Sequence, residues 1–148
     1  MKYLTFLFAW MLMTATTANA QTGLNIAHLF DGKVIPQERM VETRVKGKML
    51  SKYQLTFFRS ARFEAKDRSE INRVHDLIEL DLKQYASFTY ADNYSSKKSN
   101  SKETLMFQLP KTGQLNRFLC YKRKGDEITV VYMEGPLNSV YTLKDIIK

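Results

Sequence analysis

Between Val41 and Lys46, Val41, Thr43 and Val45 alternate with Glu42, Arg44 and Lys46. A period of two places every charge on one side of an extended segment, so a half-exposed strand is predicted, ended by Gly47. The same period resumes from Tyr53 to Glu64, with Tyr53, Leu55, Phe57, Ala61 and Phe63 sharing a side. Arg59 is the misfit there. An unpaired buried guanidinium is costly, so Arg59 must either snorkel past its neighbours or meet a carboxylate.

At Asp67 the period changes. Asp67 is placed to cap backbone amides and Glu70, three residues on, to reach back as in a capping box. Ile71, Val74, Ile78 and Leu82 then recur at spacings of three and four, opposite Asn72, Asp76, Glu79 and Lys83. This predicts an amphipathic helix over about 67–84. Glu79 and Lys83 stand in the favourable order for a surface pair.

Three extended runs follow. Leu105, Phe107 and Leu109 alternate up to Pro110, Leu115 to Arg123 leads to the turn Lys124-Gly125-Asp126, and Glu127 to Glu134 returns. A Gly-Asp pair between two strands fits a two-residue hairpin whose first central position needs positive φ. Ile128, Val130, Val131, Tyr132 and Met133 leave both sides of the last strand apolar, which makes it central in a sheet. Gly135-Pro136 stops it, and Val140, Leu143 and Ile147 mark one side of a short C-terminal helix.

The remaining stretches are less regular. Residues 21–39 hold a short apolar patch (Leu24, Ile26, Leu29, Phe30), the turn pair Asp31-Gly32 and Pro36, and read as an irregular lead-in with one helical turn. After the long helix, Tyr85, Phe88, Tyr90 and Tyr94 leave room for a fourth strand before a polar loop at about 95–103. Strands in runs rather than alternating with helices predict an α+β, two-layer domain. Its sheet is mainly antiparallel, of about five strands, covered on one face by the long helix and the C-terminal one. One domain, residues 40–148, accounts for the pattern; there is no fixed repeat and no long heptad.

The start of the chain changes the arithmetic. Lys2, the apolar run Tyr3 to Met13 and the small residues Ala18 and Ala20 before Gln21 have the form of a secretory signal cleaved at Gln21. An apolar run of eleven residues is too short to cross a hydrocarbon core. No cysteine stands directly after the small residues, so lipid tethering through a thiol is not expected. Of 148 residues, 128 remain, with 22 basic and 15 acidic side chains and a net charge of +7. The mature chain, with no membrane span, is long enough for one core without a metal or disulfide staple.

With that leader in place, the strand running into Gly47-Lys48-Met49-Leu50, the hairpin LCYKRKGDEITVVYMEG from Leu119 to Gly135 and the helix after it resemble small exported domains of unknown function from Bacteroidetes. The resemblance covers residues 40–148 in layout. It implies a location in the periplasm or on the outer surface of a Gram-negative bacterium, and it carries no catalytic residues.

Sequence motifs for nucleotide binding, zinc proteolysis, dithiol redox and lipase chemistry are absent, and no cofactor is expected. His75 and Glu79 are four apart on one side of the helix, but His28 is the only other imidazole and a structural metal normally needs four ligands. His75 therefore reads as a partly buried histidine with one hydrogen bond, and no metal is expected. Cys120 is the only cysteine and reads as a buried apolar thiol. A small hydrolase using Cys120 with a histidine is the alternative from a different class.

Two surface features suggest binding. Lys111, Arg117, Lys122, Arg123 and Lys124 form a basic cluster around the meander, which reads either as a charged strand edge or as a site for lipopolysaccharide or an acidic glycan. Nucleic acid would give the same signal, but an exported chain rarely meets it. Tyr85, Phe88, Tyr90 and Tyr94 either continue the core or stack on sugar faces. The expectation is an exported, non-catalytic module that binds a partner protein or an anionic envelope component.

Overall fold

In the computed structural model, residues 23–94 and 102–146 are described. The leader, with Ala18, Ala20 and Gln21, lies outside them. A helical turn α1 (Ala27–Phe30) leads through a 3-10 turn (Gln37–Arg39) into strand β1 (Val41–Lys46). A second 3-10 segment (Lys48–Tyr53) connects β1 to β2 (Phe57–Glu64), and helix α2 (Arg68–Tyr85) then crosses to the far edge of the sheet. There β3 (Thr89–Asp92) begins a meander through β4 (Lys102–Thr112), β5 (Leu115–Lys124) and β6 (Glu127–Gly135), and α3 (Val140–Ile146) closes the fold. The spatial order is β1-β2-β6-β5-β4-β3, with every neighbour antiparallel.

The α+β class and the mainly antiparallel sheet are as expected, and the sheet has six strands. β6 is central between β2 and β5, as its two apolar sides require. Its alternation separates two cores. Ile128, Val130 and Tyr132 join Leu119, Tyr121 and Phe107 under Ile71, Val74 and Ile78 of α2 and the lead-in residues Leu24, Ile26, Leu29, Phe30 and Ile35. Val131 and Met133 join Met106, Phe118 and Cys120 under Leu50, Leu55, Leu137, Val140 and Leu143. The two helices therefore lie on opposite faces. Coverage of a single face is corrected to coverage of both, because strands apolar on both sides cannot leave either one to water.

Local chemistry sets the boundaries. Asp67 caps α2 by accepting from the Glu70 amide at 3.0 Å. Glu70 does reach back, but to the Lys66 amide (2.9 Å), and its carboxylate also receives a bidentate pair from Arg39 at 2.6 and 2.9 Å. Those Arg39 bonds hold the Glu70 carboxyl down to about 2. Lys124 pairs with Glu127 across Gly125-Asp126, and Gly125 has φ +62° while Asp126 does not lie at positive φ, as a type II′ turn requires. β4 runs past Pro110 to Thr112 through a register shift between Leu109 and Thr112, the place where a residue without an N–H interrupts a ladder least. The expected polar loop over 95–103 falls mostly on residues outside those described. Lys102 and Glu103 do not belong to it; they open β4, because pairing with Lys124 and Arg123 supplies the partners that the polar run lacks by itself.

Candidate functional site

The meander distributes the basic cluster over both faces of the sheet. Arg117 and Arg123 point to the side of Leu119 and Tyr121, whereas Lys122 and Lys124 share the side of Cys120 and Phe118. Arg123 is buried: its Nη1 lies 3.6 Å from Glu103 Oε1, its Nε donates to the Gly125 carbonyl at 2.8 Å, and Tyr121 donates to the same Glu103 oxygen at 2.8 Å. Arg117 donates to the Pro110 carbonyl at 2.6 Å. Arg117 and Lys122 are five positions apart, about 17 Å along a strand, and Lys111 is exposed near the opposite end, beside the Gly113 turn. The five residues do not form one patch.

The side chain missing from that cluster is Arg62. In β2 it faces the same side as Lys122, and the register sets Arg62 opposite Thr129, Thr129 opposite Lys122, and Lys122 opposite Thr104. Arg62, Lys122, Lys124, Glu127, Ser60 and Thr129 line a shallow hollow of about 420 Å³, bordered by Val41 and Thr43 of β1. Lys122 and Lys124 also border a second hollow of about 520 Å³ with Lys102, Thr104 and Asp92. Among the described residues, no ion pair engages Arg62, Lys122 or Lys124. This shelf is the part of the second face that α3 and the 48–53 turn leave uncovered. Its alternation was readable in β2, but its assembly needs a β2–β6–β5 order that joins residues sixty apart in sequence.

The aromatic set separates in the same way. Tyr85 and Tyr94 pack on the α2 side, where Tyr85 donates to the Gly23 carbonyl at 3.2 Å and Tyr94 donates to Glu79. Phe88, 65% exposed, and Tyr90 lie along the β3 edge, and Tyr90 meets Tyr141 of α3 edge to face at 6.3 Å. They are not a single platform.

The candidate chemical residues are also placed. His75 is fully rather than partly buried, stacked on Tyr94 at 5.0 Å with Tyr121 edge-on at 5.9 Å. Its neighbour Glu79 is engaged by Tyr94. Among the described residues no group of three or more His, Cys, Asp or Glu side chains is placed to hold a metal ion. Cys120 is buried in the second-face core, and burial pushes its thiol up to about 12. His75 and the α1 segment carrying His28 lie on the other face. The Cys120–histidine pair is thus excluded by the sheet standing between its members. Arg59 found its carboxylate: Nε donates to Glu42 at 2.6 Å, and the guanidinium sits over the Phe30 ring at 4.9 Å.

Residues 13–147 match a family of unknown function, DUF6108. The chain belongs to that family. No curated protein and no solved structure matches it. DUF6108 membership agrees with the resemblance to small domains of unknown function. Among the described residues no helix is long and apolar enough to cross a membrane.

Proposed function

We propose that this DUF6108 chain is an exported, non-catalytic module of a Gram-negative envelope of the Bacteroidetes type, periplasmic or on the outer surface. There it binds an anionic envelope component. The single observation carrying this reading is the shelf: Arg62, Lys122 and Lys124 converge on one hollow without ion pairs among the described residues, while Arg59, Arg39 and Arg123 elsewhere are each matched to a carboxylate. Solvated cations held on rigid strands attract anions at little ordering cost.

Intact mass of the exported protein should correspond to a start at Gln21, and recovery of the full chain with residues 1–20 retained would reject export by cleavage. Retention on vesicles containing lipopolysaccharide should fall steeply as salt rises, since exposed charges are screened beyond about 8 Å at physiological ionic strength. Retention that is insensitive to salt would reject the anion reading.

A further inference from the structure

We propose that the shelf takes an extended acidic polysaccharide of the uronate type, with carboxylate-bearing sugars lying across β2, β6 and β5. This rests on the anion-binding reading above and narrows it to a ligand class. The row Arg62, Thr129, Lys122, Thr104 alternates cation and hydroxyl, one per strand. Neighbouring strands are about 4.8 Å apart, so Arg62 and Lys122 stand on backbones about 10 Å apart with a hydroxyl between them. That alternation suits a chain whose rings each carry hydroxyls beside a carboxylate. Ser60 and Thr43 add hydroxyls beside the row, and Val41, 58% exposed, offers an apolar side for the C–H face of a ring.

Glu127 decides between kinds of anion. It lines the same hollow and stands opposite Lys124 in the register. A carboxylate there repels any anion, and the repulsion is offset only by a ligand whose hydroxyls donate to it, as those of a uronate ring do and a dense run of phosphates or sulfates does not. A surface built only to hold polyanions would gain from losing Glu127; one built for an acidic sugar uses it.

The test is affinity electrophoresis of the chain from Gln21 through gels containing polygalacturonate, dextran sulfate or neutral dextran. Polygalacturonate should retard the protein and dextran should not. Arg62→Gln and Lys122→Gln should each weaken that retardation by about tenfold, the loss expected for one hydrogen bond to a charged group. Glu127→Gln should weaken polygalacturonate binding while strengthening dextran sulfate binding, a reversal that a misfolded variant or a generic charge effect does not produce. If dextran sulfate retards the protein and loses affinity in the Arg62 and Lys122 variants while polygalacturonate behaves as dextran does, the uronate assignment falls and the anion reading stands. Glu127→Gln strengthening both polyanions would overturn the sugar ligand as well. Binding of polygalacturonate unchanged in the Arg62 and Lys122 variants would overturn the shelf as its location.

Discussion

On the face under α2, Asp81, Glu103 and Arg123 are buried and paired; on the opposite face, beyond α3, Arg62, Lys122 and Lys124 are exposed and carry no ion pair among the described residues. Asp81, with no exposed surface, accepts from the Asn25 amide at 2.8 Å, the Asn25 side chain at 2.9 Å and the Ile26 amide at 2.9 Å. Glu103 and Arg123 meet at the end of the same face, with Tyr121 donating to Glu103. By contrast Arg62, Lys122 and Lys124 are exposed on the shelf. Polar groups on the first face fix the packing of the lead-in and the helix, which would otherwise leave buried amides unsatisfied. The shelf cations of the second face lie in solvent, where they can meet something outside the chain. Replacing the buried polar groups of the first face should therefore destabilise the fold, and replacing the shelf cations of the second should change only binding.

The largest effect is expected at Asp81. Replacing it by Ala leaves the amides of Asn25 and Ile26 without their acceptor, and each buried unsatisfied group costs about 1–3 kcal/mol, so Asp81→Ala should destabilise by about 3 kcal/mol. Urea unfolding measures this, and a loss below about 1 kcal/mol would mean that the lead-in is not fixed through the helix. Gly135→Ala tests the covered part of the second face. A Cβ there would run into the Gln54 carbonyl oxygen and come within 2.6 Å of the Leu55 Cα, both main-chain atoms that cannot rotate away. The expected cost is about 2 kcal/mol, from overpacking in a close-packed layer. An unchanged unfolding midpoint would show that the 48–55 connection yields easily.

How much of this was legible follows from which interactions are local. The α2 helix, its Asp67 cap, the Gly125-Asp126 turn and the central place of β6 depend on residues close in sequence, and period and turn chemistry reveal them. The division of the basic cluster follows from strand alternation, which sets Lys122 and Lys124 on one side and Arg123 on the other. Glu103 could not be foreseen as buried: its own neighbours are Lys102 and Thr104, and its partners Tyr121 and Arg123 come from the adjacent strand. Arg62 joined the site only through the crossover that brings β6 beside β2.

The turn at the shelf's end gives a smaller effect. Gly125 has open space around its Cβ position, so only its φ of +62° opposes a side chain. Gly125→Val should cost about 1 kcal/mol, because a β-branched residue is disfavoured there, and Asp126→Ala should cost less. Equal effects in urea unfolding would remove the conformational explanation.

On the first face, the Arg39–Glu70 pair adds a pH dependence. The Glu70 carboxyl sits at about 2, below its ordinary value of 4.5, so the pairing contributes fully above the ordinary value and is lost as pH falls toward about 2. Glu70→Gln should lower the urea midpoint at pH 7, and the difference from the parent should shrink through this window. A difference that is constant from pH 7 to pH 2 would show that the carboxylate charge is not what the pair contributes.

The smallest stability effect is expected where the binding effect is greatest. Arg62, Lys122 and Lys124 are exposed and carry no ion pair among the described residues, so replacing all three by Gln should move stability by no more than about 0.5 kcal/mol per site. The same triple variant should lose retention on lipopolysaccharide vesicles. Neutralising Lys66, Arg73 and Lys83, exposed at or along α2, removes the same charge from the opposite side of the sheet. It should leave retention largely intact, because screening confines the attraction to the surface that carries the cations. If the two triple variants lose retention equally, net charge alone governs binding and the contrast between the faces has no functional meaning. If the shelf variant instead unfolds, its cations serve packing as Arg59 and Arg123 do, and the second face is no more open to a ligand than the first.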